Sequence, residues 1–460
     1  MSDSFKQFIS QNLNLIESVQ SKHSIQLISS SLYILDNTQI FIQPSFISSY
    51  LSDLSIRNSM MYQISTENSI ISATDSNLTL DSVNAYGITT SSEGVVINLS
   101  SGSSASFTNV SYEDSTAEFS TVLSSSLLAS NIRLSNINLQ RNLMSFIDSN
   151  NIILQDTVIA SIDSTDSYLM FISSSEVDLI SNLTIINVNT AVLFVLSSKI
   201  SQAALIDFDS VSHSIHFKES QVDMIRDSTF KNSGSDNIQN GGAFLIEDSS
   251  LIIHNTSFHN NTAKSGGAIS IKCNTYEACS NQFVQLKFFN NIATQQGGAI
   301  YYDYRRPYLQ SIEFENNRAE YGPDIASYPV RIVRDLNYND PIEFTNIGSG
   351  IPLTETVTLS LVDYDNQVMN LINANQIKIV SSNNGTRLNG TDTSNLMMGQ
   401  AEFNNLQFQY RPGQANVEYL ATCDLIDDDK VSYLNLSASS TINVSFRYCK
   451  PGEIEVHNEK

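Results

Sequence analysis

The sequence predicts an all-β protein: a right-handed parallel β-helix of about 12–13 coils followed by an antiparallel β-sandwich. The first observation is a period. Phe-Ile-Ser-Ser occurs at residues 46–49 and again at 171–174, an offset of 125 residues, or five times 25. Gly-Gly-Ala also recurs, at residues 241–243, 266–268 and 297–299. The second observation is that this period stops near Pro341, where alternating apolar and polar residues begin.

The repeat can be followed through most of the chain by taking the apolar residue after each polar turn as a mark. Successive marks lie 19 to 31 residues apart. The 31-residue interval contains Cys273 and Cys279, and removing about six residues restores the 25-residue spacing. We therefore interpret this segment as a loop inserted into one coil and closed by a disulfide. The marks are Leu27, Phe46, Ile70, Val96, Val122, Phe146, Phe171, Phe194, Phe217, Phe244, Ile269, Ile300 and Ile325.

Short apolar runs ended by Ser, Asn, Asp or Gly indicate short strands joined by turns. β-Branched residues dominate and the 3.6-residue helical period is missing, which disfavours helices. The Leu-x-x-Leu-x-Leu-x-x-Asn pattern of leucine-rich repeats is also missing. A parallel β-helix with about three strands per coil remains. It predicts asparagine ladders at equivalent turns, positive φ at the glycine pairs, and inward stacking of five phenylalanines. These are Phe146, Phe171, Phe194, Phe217 and Phe244.

The predicted domains are a β-helix at residues 1–335, an immunoglobulin-like β-sandwich at 340–448 and a tail at 449–460. In the sandwich, period-2 runs such as Val357, Leu359 and Leu361 are separated by turns at 383–385 and 411–413. The tail opens with Cys-Lys-Pro-Gly, which we interpret as the start of a truncated cysteine-rich module.

Composition disfavours nucleic acid as a partner. The 460 residues include 24 Lys and Arg against 47 Asp and Glu, giving a formal charge of −23. Such a surface repels phosphate backbones. Serine is unevenly distributed, with 56 of the 72 serines in the first 250 residues. The sequence predicts no cofactor.

The compartment is predicted from weaker signals. The longest apolar run, residues 191–196, is too short to cross a bilayer, and the N-terminus lacks a secretory signal. An even number of cysteines without C-x-x-C spacing favours disulfides over zinc, with unrelated free thiols as the alternative. The candidates are Cys273, Cys279, Cys423 and Cys449, where Cys449 pairs with Cys423 or has lost a downstream partner. Ten sequons, about the number expected by chance, permit glycosylation at Asn77, Asn98, Asn109, Asn182, Asn255, Asn260, Asn384, Asn389, Asn435 and Asn443.

Two families resemble parts of the chain. Phe-x-Asn-Asn at 258–261 and 288–291 precedes Gly-Gly-Ala-Ile at 266–269 and 297–300. This pairing resembles the repeats of the polymorphic outer-membrane proteins, β-helical surface adhesins of chlamydiae. The ending at 321–329 resembles large pectin-lyase-like, multi-module surface proteins of ciliates, which continue into cysteine-rich and membrane segments. The resemblance implies a β-helix exposed at a cell surface.

Because parallel β-helices include polysaccharide lyases and hydrolases, carboxylate pairs were considered as catalytic groups. The candidates are Asp163 with Asp166 and Asp207 with Asp209, with Arg133, Arg141 and Arg226 as bases. The motifs of polygalacturonases and pectate lyases are missing around them, so solvated turn residues are the favoured interpretation.

Three other sets of residues are candidates for metal or ligand binding, and each also has a purely structural interpretation. His254 with His259, and His213 with His216, lack partners at ligand spacing and are interpreted as surface histidines. Asp424 with Asp427, Asp428 and Asp429 could hold Ca²⁺ but lacks an EF-hand glycine and glutamate, so no metal site is predicted. One aromatic and basic cluster is the best candidate for a ligand-facing patch. The alternative is that its side chains pack between coils. The cluster comprises Tyr301, Tyr304, Arg305, Arg306 and Tyr308.

The sequence thus predicts a non-enzymatic, extracellular rod of a larger membrane-anchored surface protein, with a structural or adhesive role. Its expected partners are other surface proteins or glycans, and it meets the membrane only through flanking segments outside this chain. The alternative is a β-helix protein that binds or degrades polysaccharide through an unrecognised acidic site.

Overall fold

The computed structural model confirms the predicted fold class: the protein is almost entirely β, with a parallel β-solenoid of about 11 turns and further sheets. The structure describes residues 25–28, 31–34, 38–40, 47–62, 64–66, 69–90, 95–212, 215–275, 277, 279–336, 341–383 and 385–454. The chain forms two compact units. The first ends at Arg318, and the second comprises residues 295–297, 302–304 and 319–460. The domain limits drawn from the sequence stay a prediction.

The first unit is built from three stacks of parallel strands. Stack A collects the first strand of each coil, and its neighbours pair in register, as Ile47 with Ile71 and Phe217 with Ile246. Its strands are Ile25–Ile28, Ile47–Tyr50, Ile71–Thr74, Val95–Ser100, Glu118–Leu123, Met144–Ile147, the ends of Ile152–Ser173 and Glu176–Leu196, Ile215–Lys218, Phe244–Glu247, Ile269–Lys272 and Ile300–Tyr302.

Stacks B and C follow stack A in each coil, and one long strand often supplies both. The shared strands are Asp53–Tyr62, Asn77–Tyr86, Ser104–Glu113, Ser126–Asn138, Ile152–Ser173, Glu176–Leu196 and Lys199–Val211. Stack B also contains Ser31–Ile34, Gln221–Arg226, Ser250–His254, Gln282–Val284 and Tyr308–Gln310. Stack C also contains Thr38–Ile40, Thr229–Lys231, Ser257–His259, Lys287–Phe289 and Glu313–Glu315. Further short strands are Ser65–Thr66, Thr89–Thr90, Thr262–Ser265 and Ile292–Gln296.

A buried ladder between stacks A and B uses nine of the serines in the first 250 residues. Between stacks A and B a residue with positive φ, such as Asp148 or Ser174, is followed by a serine that is at most 7% exposed. The serine N–H donates to the hydroxyl of the next coil at 2.9–3.3 Å. The bonds run Ser52 to Ser76, Ser76 to Ser103, Ser125 to Ser149, Ser149 to Ser175, Ser175 to Ser198, Ser198 to Ser220 and Ser220 to Ser249. Each serine hydroxyl thus accepts a hydrogen bond from a backbone N–H that is buried away from water.

The ladder makes a testable prediction at Ser175. Its Oγ accepts from Ser149 N at 3.0 Å and donates to the carbonyl of Ser173 at 2.7 Å. Ser175→Ala leaves the buried Ser149 N–H unpaired, whereas the Ser173 carbonyl keeps the N–H of Asp148 as a donor, so we expect the free energy of unfolding to fall by about 2 kcal/mol. Urea unfolding followed by circular dichroism measures this. Ser104→Ala, at an exposed serine of stack B, is the control, and equal effects of the two changes would contradict the ladder.

A second ladder confirms the predicted stacking of asparagines. It is formed by the second asparagine of Phe-x-Asn-Asn in three successive coils: Asn261, Asn291 and Asn317. Asn261 Nδ2 donates to Asn291 Oδ1 at 2.9 Å, and Asn291 Nδ2 donates to Asn317 Oδ1 at 3.0 Å. Each Nδ2 also donates to a phenylalanine carbonyl, such as that of Phe258. The three side chains are 0–7% exposed, so the ladder lies inside the solenoid.

The prediction that five phenylalanines point inward is confirmed for Phe146, Phe217 and Phe244, which are at most 2% exposed, and is wrong for Phe171 and Phe194. Phe171 pairs with Phe194 on the outer face of stack A, whereas Phe146 and Phe217 point inward in a column that contains Ile172 and Val195 between them. The marks at Phe171 and Phe194 are one residue out of register, and a one-residue shift moves a side chain to the opposite face of a strand. The inner aromatic stack uses the motif phenylalanines instead, with centroids 5.0–5.4 Å apart. Its members are Phe230, Phe258, Phe288 and Phe314.

The glycine pairs have the predicted backbone and a second role. The first glycine of each pair has positive φ, for example 65° at Gly266. The second lies against the following coil: a Cβ on Gly267 would lie 2.1 Å from the carbonyl oxygen of Gly298. The pair thus combines a sharp bend with a close approach between coils.

The number of turns is slightly lower than the 12–13 coils predicted. The last mark, Ile325, lies in the two-residue strand Ile325–Ala326 of the second unit. A strand of this length does not complete a three-strand turn. The count from sequence therefore included a terminal copy that is not a full coil.

The second unit contains the predicted antiparallel sheets. One sheet consists of Pro329–Arg334, Val357–Asp363 and Gln400–Phe403. The five-stranded sheet has the order Ile342–Ile347, Ser439–Phe446, Val417–Thr422, Gln376–Ser381 and Thr393–Asn395. Its first pair is parallel, in contrast to the fully antiparallel expectation. Arg387–Asn389 pairs with Gln407–Gln409, and one short helix covers Asp428–Ser432.

Cys273 and Cys279 form the expected disulfide, with a Cα–Cα distance of 6.0 Å. Cys423 is a buried free thiol and Cys449 an exposed one. Burial raises the pKa of the Cys423 thiol. Among the described residues, no helix is long and apolar enough to cross a membrane.

Candidate ligand-binding face

The outer face of stack A carries a row of side chains that change in character from coil to coil. The register aligns Thr121, Ser145, Phe171, Phe194 and His216 in one outward column. Small polar residues thus meet two aromatic rings, which are followed by a histidine. We call this column, with the neighbouring Glu118, Asn142, Tyr168 and Glu247, the outer strip of stack A.

The aromatic part of the strip is a cluster of three half-buried rings, Tyr168, Phe171 and Phe194. Phe171 and Phe194 stack at 5.7 Å with an interplanar angle of 17°, and Tyr168 stacks on Phe194 at 5.1 Å. Phe194 covers one face of the Phe171 ring. The other face is therefore directed along the stack toward the preceding coil, where the register places Ser145.

A polar shelf adjoins the rings. Glu118, 8% exposed, accepts hydrogen bonds through Oε1 from Ser145 Oγ at 2.7 Å and Thr121 Oγ1 at 3.0 Å. Asn142 Oδ1 accepts from Tyr168 N at 3.0 Å, which joins shelf and rings. Burial raises the pKa of Glu118, although its two hydroxyl donors and the Arg141 guanidinium oppose the shift. The shelf therefore contains a carboxyl group whose charged form is disfavoured by its surroundings.

The raised pKa predicts how stability depends on pH. A carboxyl group whose pKa is raised by folding contributes stability below its unfolded pKa and loses that contribution as pH rises through its folded pKa. Glu118→Gln removes this titration, so the variant should be the more stable protein at pH 7 and lose that advantage at pH 4. Melting temperatures of variant and wild type measured across this range test the prediction. An advantage of the variant that grows as pH falls would contradict it.

The other end of the strip is a half-buried pair of a histidine and a glutamate in hydrogen-bond contact. His216 Nε2 lies 2.9 Å from Glu247 Oε2, and the His216 ring packs edge-on against Phe194 at 4.9 Å. Burial lowers the pKa of His216, whereas Glu247 raises it less, so the net shift is downward. His216 was interpreted from sequence as a surface histidine, and the structure gives it both a carboxylate and an aromatic partner. His213 lies outside the described residues.

The carboxylates singled out from sequence have structural partners. Lys231 Nζ lies 3.6 Å from Asp207 and 3.4 Å from Asp209, and Asp209 also accepts from Asn232. These partners lower the pKa of Asp209 against the opposing effect of burial. Asp163 accepts from Asn189 at 3.0 Å, while the side chain of Asp166 lies outside the described residues.

The three arginines predicted as candidate bases lie in separate surroundings. Arg226 pairs with Asp227 at 2.7 Å, and Arg133 and Arg141 are exposed. Of the histidines near the Asn255 sequon, His254 is half-buried and His259 stacks on Phe289 at 5.1 Å.

The aromatic and basic patch after the third Gly-Gly-Ala stays a prediction. Tyr301, Arg305 and Arg306 are half-buried, and Tyr308 is 57% exposed. In the second unit, the Tyr304 ring packs against Tyr433 at 5.9 Å and lies 5.3 Å from Lys430 Nζ. Lys430 also pairs with Asp303. Tyr304 therefore has packing partners of its own.

The acidic segment near Asp427 has a local role. Asp427 is the N-cap of the short helix and accepts from the backbone N–H of Asp429 and Lys430. Carboxylates at a helix start satisfy its free N–H groups. Among the described residues no group of three or more His, Cys, Asp or Glu is placed to hold a metal ion.

Five of the sequon asparagines take part in side-chain bonds between coils. Asn77, Asn182, Asn255 and Asn260 each donate through Nδ2 to an Asp or Asn of the preceding coil, at 2.6–3.2 Å. Asn109 accepts from Asn131. Asn389 and Asn435 are exposed, Asn98 and Asn443 half-buried, and Asn384 lies outside the described residues. Glycosylation at these positions stays a prediction.

The Phe-x-Asn-Asn and Gly-Gly-Ala-Ile coils supply both the inner aromatic stack and the asparagine ladder. Residues 255–272 and 285–303 match the Chlamydia polymorphic membrane protein repeat. This confirms the resemblance seen in the sequence, and it places the polymorphic membrane protein repeat on two neighbouring coils. No curated protein matches the chain.

Three solved structures are similar at 8% sequence identity. The mannuronan C-5 epimerase AlgE4 A-module of Azotobacter vinelandii has a TM-score of 0.23, covering 66% of this chain and 91% of its own. The periplasmic alginate epimerase AlgG has a TM-score of 0.23, with coverages of 60% and 76%. The Dettilon tailspike protein has a TM-score of 0.22, with coverages of 85% and 86%. The solenoid assignment here rests on the strand register of this chain.

Sequence reasoning missed the outer strip. Its signal is present in the sequence, because Phe171 and Phe194 occupy repeat positions, but the repeat does not define the direction of their side chains. The buried Glu118 has no signal in the sequence, since a single glutamate before an apolar run has no distinguishing pattern. Only the register brings it beside Ser145.

Proposed function

We propose that this chain is the non-enzymatic, extracellular β-solenoid part of a cell-surface protein, with an adhesive or recognition role. The observation that carries the proposal is the polymorphic membrane protein repeat on two coils whose second asparagines form the inner ladder. A surface protein needs a fold that presents a long face, and stacked coils provide one.

The environment of the acidic residues supports a non-enzymatic role. General acid and base catalysis of glycoside cleavage requires paired carboxyl groups with access to the same bond. Here Asp207 and Asp209 share Lys231, and Asp163 is held by Asn189. These contacts give the three carboxylates structural roles within the solenoid.

The proposal is tested by incubating the purified chain with uronate and neutral polysaccharides and measuring reducing ends or unsaturated products. We expect no depolymerisation. In parallel, antibody labelling of intact source cells should detect the protein at their surface. Depolymerisation lost in an Asp207→Asn, Asp209→Asn variant, or labelling confined to permeabilised cells, would overturn the proposal.

The alternative is a polysaccharide-degrading solenoid, and Glu118 is the observation that favours it. A buried carboxyl with a raised pKa beside aromatic rings has the properties of a general acid. In that case the depolymerisation assay should show activity that Glu118→Gln abolishes.

A further inference from the structure

We propose that the outer strip of stack A is a binding site for a neutral polysaccharide, with a sugar ring seated between the Phe171 ring and the shelf of Glu118, Asn142 and Ser145. This inference rests on the proposed surface role and names the class of ligand recognised there. Three features carry it: a ring face, a set of hydrogen-bonding groups and the balance of charge.

The ring face is one side of Phe171, and it results from a change in residue size along the outward column. Phe194 covers one side of Phe171, and the next residue on the other side is the small Ser145. The ring centroid of Tyr168 lies 6.4 Å from that of Phe171 and extends the aromatic surface, and the Tyr168 N–H donates to Asn142 Oδ1. The apolar C–H face of a sugar packs against such a surface as apolar groups do elsewhere. The part of these rings that is exposed gains apolar burial when a ligand covers it.

The hydrogen-bonding groups belong to the polar shelf next to these rings. Glu118 uses Oε1 for Ser145 and Thr121. Its Oε2 accepts no hydrogen bond from a described residue and is not sealed from solvent. Asn142 Nδ2 donates weakly to Ser145 Oγ at 3.4 Å. Pockets that orient polar ligands combine apolar walls with a few fixed polar groups of this kind.

The charge defines the ligand further. The whole chain carries a formal charge of −23. A uronate polymer would be repelled, which selects a neutral glycan.

The test is calorimetric titration of the full chain with neutral hexasaccharides (cello-, xylo-, manno- and malto-hexaose) and with oligogalacturonate and oligomannuronate of the same length. We expect binding of at least one neutral hexasaccharide and weaker binding of both uronates. Phe171→Ala should weaken binding by about tenfold or more, while Phe171→Tyr should retain it. Glu118→Gln preserves the shape of the polar shelf. It should change the affinity for the neutral hexasaccharide without changing the circular dichroism spectrum.

Leu128→Ala is the matched control, because Leu128 is an apolar side chain 46% exposed on stack B. It should leave binding unchanged. Preferred binding of a uronate, equal losses from Phe171→Ala and Leu128→Ala, or no binding of any glycan would each overturn the inference. These outcomes are distinct from failure of the proposed function, which depends on surface labelling and on depolymerisation.

Discussion

Replacing Asn291 with leucine is expected to lower the free energy of unfolding of the solenoid by about 3 kcal/mol or more. The Asn291 side chain is fully buried and bonds to Asn317 Oδ1 and to the carbonyl of Phe258, while its Oδ1 accepts from both nitrogens of Asn261. Leucine has a similar volume but leaves the buried Asn261 N–H unpaired and removes one of the two hydrogen bonds made by Asn261 Nδ2 and by Asn317 Oδ1. Urea unfolding followed by circular dichroism, with limited proteolysis of the native protein, measures the loss.

The control is the neighbouring Asn290→Asp. Asn290 is exposed and has a φ of 55°, a conformation that aspartate also tolerates. The change should shift the unfolding midpoint only slightly. If Asn291→Leu and Asn290→Asp had the same small effect, the buried ladder would not contribute to stability as described.

The second large effect is expected at Gly267. A Cβ there would lie 2.1 Å from the carbonyl oxygen of Gly298 and 2.7 Å from the backbone of Ile292. Because backbone rather than a flexible side chain is in the way, two coils must move apart. Gly267→Ala should therefore cost about 3 kcal/mol or more, or prevent folding. Thermal denaturation and the yield of soluble protein report this.

Gly350→Ala distinguishes a steric effect from a backbone preference. Gly350 has a φ of 70°, but nothing lies within 4 Å of its Cβ position. The same substitution should cost only about 1 kcal/mol there. A larger loss at Gly350 than at Gly267 would refute the close approach between coils as the reason for the second glycine.

Much of the solenoid could be predicted because the residues that define it recur at nearly constant intervals. Gly266 with Gly267, and Phe258 with Asn261, repeat since every coil must bend at the same corner and satisfy the same backbone groups. The disulfide of Cys273 with Cys279 was predictable for the same reason: an insertion stands out against a regular period.

The candidate site was not predictable in the same way. Whether Phe171 faces inward or outward depends on a shift of one residue, and intervals of 19 to 31 residues do not fix it. Likewise, Ser145 and Glu118 are 27 residues apart in sequence but 2.7 Å apart between Oγ and Oε1. Proximity of this kind depends on the register between coils.

The sequence by itself determined the architecture: parallel coils in the first part, alternating strands in the second, and little use of charge. Its physical basis is local, because turn residues, strand propensity and period act within one coil. The tertiary structure decided which side chains face out and which coils place them together. Hydrogen-bond register between coils sets both, and so it placed the ring of Phe171 next to Ser145, whose hydroxyl donates to the buried Glu118.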